Sequence, residues 1–495
     1  MRPYLRATAL IASLTLAANL LGFVREILFA RAFGAAGVAD VFVSAFSIAA
    51  VCFLIFSAGS LQGAFMPRYQ RALVQNASAQ AYGLWRKTLH GLTLLLLAIA
   101  MALWLGADFW VALVLPGFDA ERQALTAQML HWLAPMVVMA GLGSLLQSVL
   151  HAHQRFFLPA LIPVLNNIVL IVFLLLVVPT AGIVGLAQGT LLGAAVALVL
   201  VPQVRAVLPR CEPEYSPGAL RELVGAMLPL VFLLVADQVS ALIQKALVSD
   251  LAPGSIAVLN YAARLEGLPI GIFAAAVAAV FFPALVEALS RGSAEEARSR
   301  FALGLGLVCF CMIPAMIFLL CESRLIVRVL FERGAFDAEA TSRAAAALVY
   351  YAIGLLPQSF IVLLNRIYFA AGDTRTPMHI GVLSALLHVG VCWVLVETMG
   401  YLGIALGTSV YALIYAVLLS MRLKGVLQTT PDLWWKSVWR ALVAGTLMAM
   451  LYQAWDFPES ISGLLLALSS GTVLYCLAAW ILRDPVFKWR RPGIT

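Results

Sequence analysis

Apolar stretches of about 20 residues or more, separated by short polar links, run the length of the chain, and none shows the ten-residue alternation of a membrane barrel. Fourteen helical crossings are expected, at 8–32, 38–64, 88–114, 126–150, 159–179, 182–204, 223–249, 255–286, 301–321, 343–370, 378–398, 401–422, 437–455 and 461–482. The pattern predicts an all-α integral membrane protein.

The order of these stretches repeats. Gly117-Phe118-Asp119-Ala120-Glu121 returns as Ala335-Phe336-Asp337-Ala338-Glu339, and Pro159 returns as Pro377, both at an offset of 218 (335 − 117; 377 − 159). Ala64-Phe65-Met66-Pro67 is matched by Val280-Phe281-Phe282-Pro283 at 216 (280 − 64). A duplicated unit with an even number of crossings enters the membrane twice from the same side, so its copies are related by an axis along the membrane normal. This predicts two parallel six-helix lobes, 1–205 and 220–423, with 424–495 as a C-terminal helical hairpin.

Composition fixes the solvent. With 63% hydrophobic and 11% charged residues among 495, polar surface is too scarce to cover a soluble domain. Basic residues of one set of loops, among them Arg68, Arg71, Arg86, Lys87, Arg155, Arg205, Arg210, Arg291, Arg298, Arg300, Arg422 and Lys424, far outnumber Arg122, Arg324, Arg328 and Arg333 of the other. The positive-inside rule then places both termini in the cytoplasm. The net charge of +8 is accounted for by those loops meeting anionic membrane lipids and calls for no nucleic acid. The first apolar stretch continues through Arg25-Glu26 to Phe33, which reads as a retained helix rather than a cleaved signal. Seven cysteines without C-x-x-C pairs read as small core residues, and no metal site is expected. No phosphate-binding loop, H-E-x-x-H or dinucleotide fingerprint is present, so no enzyme chemistry and no cofactor are expected. Any driving force is expected from membrane potential, Na+ or H+ gradients, or substrate consumption.

Charges inside apolar stretches carry the functional signal, because each central cation costs roughly 2.5–3.5 kcal/mol unless paired or wet. Among them are Arg25, Glu26, Asp40, Asp237, Lys245, Arg264, Glu266 and Arg366. Structural pairs are the plain reading of Arg25 with Glu26 and of Arg264 with Glu266, and snorkelling that of Arg366. Adjacent positions diverge by about 100° around a helix, so Arg25 and Glu26 are not expected to satisfy each other. Guanidinium groups from Arg25 and Arg264, one per lobe, would suit an anionic substrate in a wet cavity. Asp237 would bind sodium or carry a proton, or else pair with Lys245. His151 and His153 read as interfacial.

Five motifs add a resemblance: Gly22-Phe23-Val24-Arg25-Glu26, Ala64-Phe65-Met66-Pro67, Arg155-Phe156-Phe157-Leu158-Pro159-Ala160, Leu330-Phe331-Glu332-Arg333-Gly334-Ala335-Phe336 and Gly372-Asp373-Thr374-Arg375-Thr376-Pro377. In order, over nearly the whole chain, they resemble the MurJ/MviN lipid II flippases of the MOP transporter superfamily. The resemblance implies a bacterial inner-membrane protein whose cationic cavity holds the diphosphate of a polyprenyl-linked glycopeptide, with the last two helices shaping a groove for the lipid tail. Arg25 and Arg264 fall on two of the family's cavity arginines, and Asp40 on its acidic residue in the second helix. Phe53 and Asn19 stand where other members have arginines, and Glu266 lies slightly displaced from a common glutamate.

The resulting expectation is a flippase that moves a polyprenyl-diphosphate glycolipid, foremost lipid II, by alternating access. The alternatives are a flippase for an exopolysaccharide or O-antigen repeat unit, a multidrug exporter, and a non-transporting scaffold for cell-wall or polysaccharide synthases.

Overall fold

In hydrocarbon a backbone must satisfy its own N–H and C=O groups, and a helix does so within one segment. The computed structural model describes residues 2–57, 60–209, 211–215, 218–423 and 432–482, and no strand occurs among them. Eleven helices there are long and apolar enough to cross a membrane, or twelve if a pair bent by 44° counts as one span. The expected count of fourteen thus exceeds the spans that meet both criteria among the described residues. The other two expected crossings, 223–249 and 437–455, lie in helices Ala219–Ser249 and Asp432–Ala454.

The chain packs as two units, Met1–Ala257 and Val258–Thr495. In the first, α1 (Arg2–Phe33), α2 (Gly37–Ser57), α3 (Ser60–Val74), α4 (Ser78–Leu105), α5 (Ala107–Val114), α6 (Ala120–Ala152), α7 (Phe157–Leu176), α8 (Val178–Ala195), α9 (Leu200–Val207) and α10 (Ala219–Ser249) follow one another. The span formed by α6 is the most deeply buried, packed by α2, α4 and α8. Because α10 packs on α2 and α3, the packing boundary falls one helix later than the repeat boundary at 205–220.

From the boundary onward come α11 (Ser255–Pro269), a π-helical turn (Ile270–Ala274), α12 (Ala275–Ser290), α13 (Ala294–Cys321), α14 (Ser323–Phe331), α15 (Ala338–Ile353), α16 (Leu355–Ala370), α17 (Arg375–Met399), α18 (Leu402–Arg422), α19 (Asp432–Ala454) and α20 (Ile461–Ile481). The last two form a hairpin on α13, with Ile313, Ile317, Ala444, Met448, Tyr452 and Tyr475 in one buried cluster. Gly471 lets Tyr452 approach, since an added Cβ would lie 1.9 Å from its hydroxyl oxygen.

The backbone repeats as the sequence does. Helix α4 shifted by 216 residues is α13 end for end (294 − 78; 321 − 105), and α6 shifted by 218 spans α15 and α16 together (338 − 120; 370 − 152). Left-handed residues recur at the same offsets: Asn76 with Gly292 (292 − 76 = 216), Gln154 with Gly372 and Gly182 with Gly400 (both 218). The repeated pentapeptide is a helix start in both copies. Asp119 accepts the Arg122 amide at 2.8 Å and Asp337 accepts the Ala340 amide at 2.8 Å, each behind a buried phenylalanine, Phe118 and Phe336. That amide, more than the Arg122 guanidinium, holds the Asp119 carboxyl below the usual range.

Candidate functional site

Arg25 sits in the long apolar helix α1, where Gly22 packs beside Asn167 of α7. Asn167 Nδ2 donates to the Ala18 carbonyl at 3.0 Å, which orients its Oδ1 to accept from Arg25 Nη1 at 3.2 Å. Arg25 Nη2 donates to Glu26 Oε1 at 2.6 Å, contrary to the divergence expected for neighbours on a helix. The long arginine stem reaches around the helix, so about 100° between Cα positions does not separate the charged ends. Two of the five guanidinium N–H donors are thereby used; the others make no hydrogen bond to a described residue. The side chains are 26% and 11% exposed, so the arginine is the more accessible member.

Arg264 and Glu266 are two positions apart on α11, about 200° around the helix, and go to different surroundings. Arg264 is exposed, while Glu266 is 5% exposed and accepts from Gln358 Nε2 of α16 at 2.6 Å. Gly267 and Gly271 continue the face of Arg264, and a methyl group added at either would meet nothing within 4 Å. The second arginine therefore stands on an open strip of helix.

Asp40 sits among backbone donors. It is 2% exposed, and its two carboxylate oxygens accept from the amides of Gly254 and Ala257 at 2.6 and 2.7 Å. Those amides open α11, where unpaired N–H groups and the helix dipole favour a carboxylate. Gly254 must be glycine: its φ is +86°, and an added Cβ would lie 1.7 Å from the Ala35 carbonyl oxygen. Asn19 is exposed on α1, Phe53 is half-buried on α2, and Lys245 is half-buried on α10. The side chain of Asp237 lies outside the described residues. Arg366 lies over the Phe282 ring at 5.5 Å, a cation–π contact in addition to any snorkelling.

The last two of the five motifs make structural contacts. Asp373 Oδ1 accepts the amides of Arg375 and Thr376, both at 3.0 Å, starting α17 after the left-handed Gly372. Hydrogen bonding from Thr376 is the main cause that holds its carboxyl below the usual range. Phe331 and Phe336 close on Tyr261, with ring centroids 5.3 and 5.4 Å from it. His153 accepts or donates a hydrogen bond with the Tyr69 hydroxyl at 3.2 Å. All seven cysteines are free, and Cys211 and Cys321 are exposed rather than core residues.

One interior group escaped the sequence reading. His388 of α17 is 7% exposed, 3.3 Å from the Thr408 hydroxyl and stacked on Tyr411 with centroids 4.5 Å apart. A histidine in the middle of the eleventh apolar stretch, apart from His379 at its edge, was the available signal. Among the described residues, no three His, Cys, Asp or Glu side chains gather as a metal ion would require.

With this geometry in view, the chain can be set beside known proteins. A sequence profile of the family described as lipid II flippase MurJ matches residues 29–470. A probable lipid II flippase MurJ from Thermotoga maritima is 30% identical over 410 residues, covering 83% of each chain. A lipid II flippase MurJ from Burkholderia cenocepacia is 27% identical over 468 residues, covering 91% of this chain and 89% of its own. A solved lipid II flippase MurJ in an inward closed conformation superposes with a TM-score of 0.84 at 23% identity, covering 97% of this chain and 100% of that one. An inward-facing multidrug resistance MATE transporter of the MOP superfamily gives 0.72 at 15% identity, covering 85% and 99%. At such identities the two structures speak to the fold alone.

Proposed function

Because the chain belongs to the MurJ family of lipid II flippases, we propose that it translocates lipid II, a polyprenyl-diphosphate glycopeptide, across the bacterial inner membrane by alternating access. The head group crosses while the tail stays in lipid. The observation that carries the reading is Arg25: a guanidinium in an apolar helix, partly accessible, with donors left over after Glu26 and Asn167 are served. Arg25 and Arg264 supply the fork-shaped donors that phosphate oxygens take bidentately, and neither performs covalent chemistry. The arrangement belongs to a transporter rather than an enzyme, built as parallel lobes 1–205 and 220–423 with the hairpin 424–495, and with both termini cytoplasmic. Coupling draws on membrane potential, Na+ or H+, with Asp237 and Lys245 as its first candidates. Cell-wall synthases are the partners that would consume the product.

Replacing both Arg25 and Arg264 with alanine is expected to abolish head-group translocation in a strain depleted of its own essential flippase, with insertion checked by membrane fractionation. Undiminished translocation by the inserted double variant would sink the diphosphate reading, and rescue of growth without translocation would favour a scaffold. Phe53 and Asn19, standing where other members have arginines, favour a second reading in which the cargo is a different polyprenyl-diphosphate sugar. Rescue by the wild-type chain separates the two.

A further inference from the structure

The first unit carries a second basic site, away from the arginine of α1. The segment after α9 folds back over the start of α4: the Glu214 amide donates to the Ala79 carbonyl at 3.0 Å, and Gln80 Nε2 donates to Glu214 Oε1 at 3.2 Å. Gly83 permits this, since an added Cβ would lie 2.0 Å from the Glu214 carbonyl oxygen. Lys87 fastens the end of the segment by lying over the Tyr215 ring at 5.1 Å. Beneath it is a cavity of about 990 Å³ lined by Tyr82, Trp85, Arg86, Arg205, Glu212 and Tyr215, among others. Tyr82 and Trp85 are stacked at 5.9 Å with 14° between their planes, forming a stiff wall.

The two arginines are the informative members. Neither guanidinium makes an ion pair or hydrogen bond with a described residue, whereas Arg122, Arg291, Arg300 and Arg328 each pair with a carboxylate. Arg86 stands just before the apolar run that begins at 88 and Arg205 just after the one that ends at 204, which puts both at the expected membrane surface. Lipid phosphates occupy that depth. The cavity is far larger than one phosphate, and Glu212 adds an acceptor that a phosphodiester, which has no O–H, could not serve but a glycerol hydroxyl could. We propose that this cavity binds the phosphoglycerol head group of an anionic lipid, with Arg86 and Arg205 on the phosphate and Glu212 accepting from the glycerol hydroxyls. The site is independent of the transported cargo.

The test is native mass spectrometry of the full chain in detergent, titrated with phosphatidylglycerol, phosphatidylcholine or inorganic phosphate. Phosphatidylglycerol should bind in preference to phosphatidylcholine, and Arg86→Gln with Arg205→Gln should weaken it roughly tenfold or more. Arg291→Gln, on another loop, should leave it unchanged. Arg86→Lys with Arg205→Lys keeps the charge and loses the fork; it should bind more weakly than wild type and more tightly than the glutamine pair, and it serves if the glutamine pair fails to fold. Wild-type phosphatidylglycerol affinity in either double variant overturns the proposal. So does equal binding of phosphatidylcholine, or displacement of the lipid by inorganic phosphate at matching concentration, which would make the cavity a free-anion site.

Discussion

Helix α6 and its repeat counterpart follow one template to different ends. In the first copy α6 runs unbroken from Ala120 to Ala152; in the second the same length is split at Gly354 into α15 and α16, bent by 44°. The second copy has Pro357 where the first has Met139, a residue with no N–H for the Ile353 carbonyl just before the break, and three further exchanges lie around it. Gly354 stands where the first copy has Met136, Ser409 where it has Leu191, and Gln358 where it has Ala140, all at the offset of 218. Glycine permits the close approach: an added Cβ would lie 2.6 Å from Ser409 Oγ and 2.8 Å from its Cα. The serine hydroxyl then donates to the Tyr350 carbonyl at 2.6 Å, which the break leaves short of a partner, and lies 3.3 Å from that of Tyr351, which already accepts the Gly354 amide at 2.9 Å. One turn beyond, Gln358 meets Glu266. The two copies share a template, and only the second has the Gln358–Glu266 hydrogen bond built on it.

The difference can be broken at several points. The largest effect is expected at Asp40, whose place in the second copy, at the offset of 216 that holds for residues 64–105, is taken by Ile256 (256 − 40 = 216). Asp40→Ala removes two charge-assisted hydrogen bonds from the start of α11 and should cost about 3–5 kcal/mol. Thermal unfolding in detergent would show it, with Asp40→Asn closer to wild type; unchanged stability with lost transport would return Asp40 to the substrate site. Gly354→Val drives a side chain into Ser409 and should cost about 3 kcal/mol by the same assay. Ser409→Ala should cost about 1–2 kcal/mol, visible as faster amide exchange near Tyr350 and Tyr351. Exchange no faster than wild type would mean the break is held by packing alone.

The smallest effect is a pH dependence at the end of α6, where His153 stands and its second-copy counterpart is Ala371 (371 − 153 = 218). Burial first, and the nearby Arg155 charge second, lower the imidazole's affinity for a proton. The unfolded chain then takes up the proton before the folded one does. Stability contributed here is intact above about pH 6.5 and is lost as pH falls below it. His153→Phe should flatten that decline in a melting-temperature profile, and an unaltered slope would count against the assignment.

Much of this was legible in the chain, since apolar length dictates membrane helices and the repeated Phe-Asp-Ala-Glu segment dictates a capped helix start, both local consequences of residue type. The arginines were legible too, because a guanidinium within an apolar run is costly wherever it points. What they touch was decided by the tertiary structure. Nothing in the spacing of Arg25 and Glu26 shows that a stem can swing around its own helix, nor that Asn167, 142 residues away, waits beside it. Nor does the sequence show that the amides of Gly254 and Ala257 reach Asp40 across more than 200 residues. Hydrophobicity is a property of a segment and survives as sequence pattern; a hydrogen-bond partner is a property of a place, and places exist only once the helices have packed.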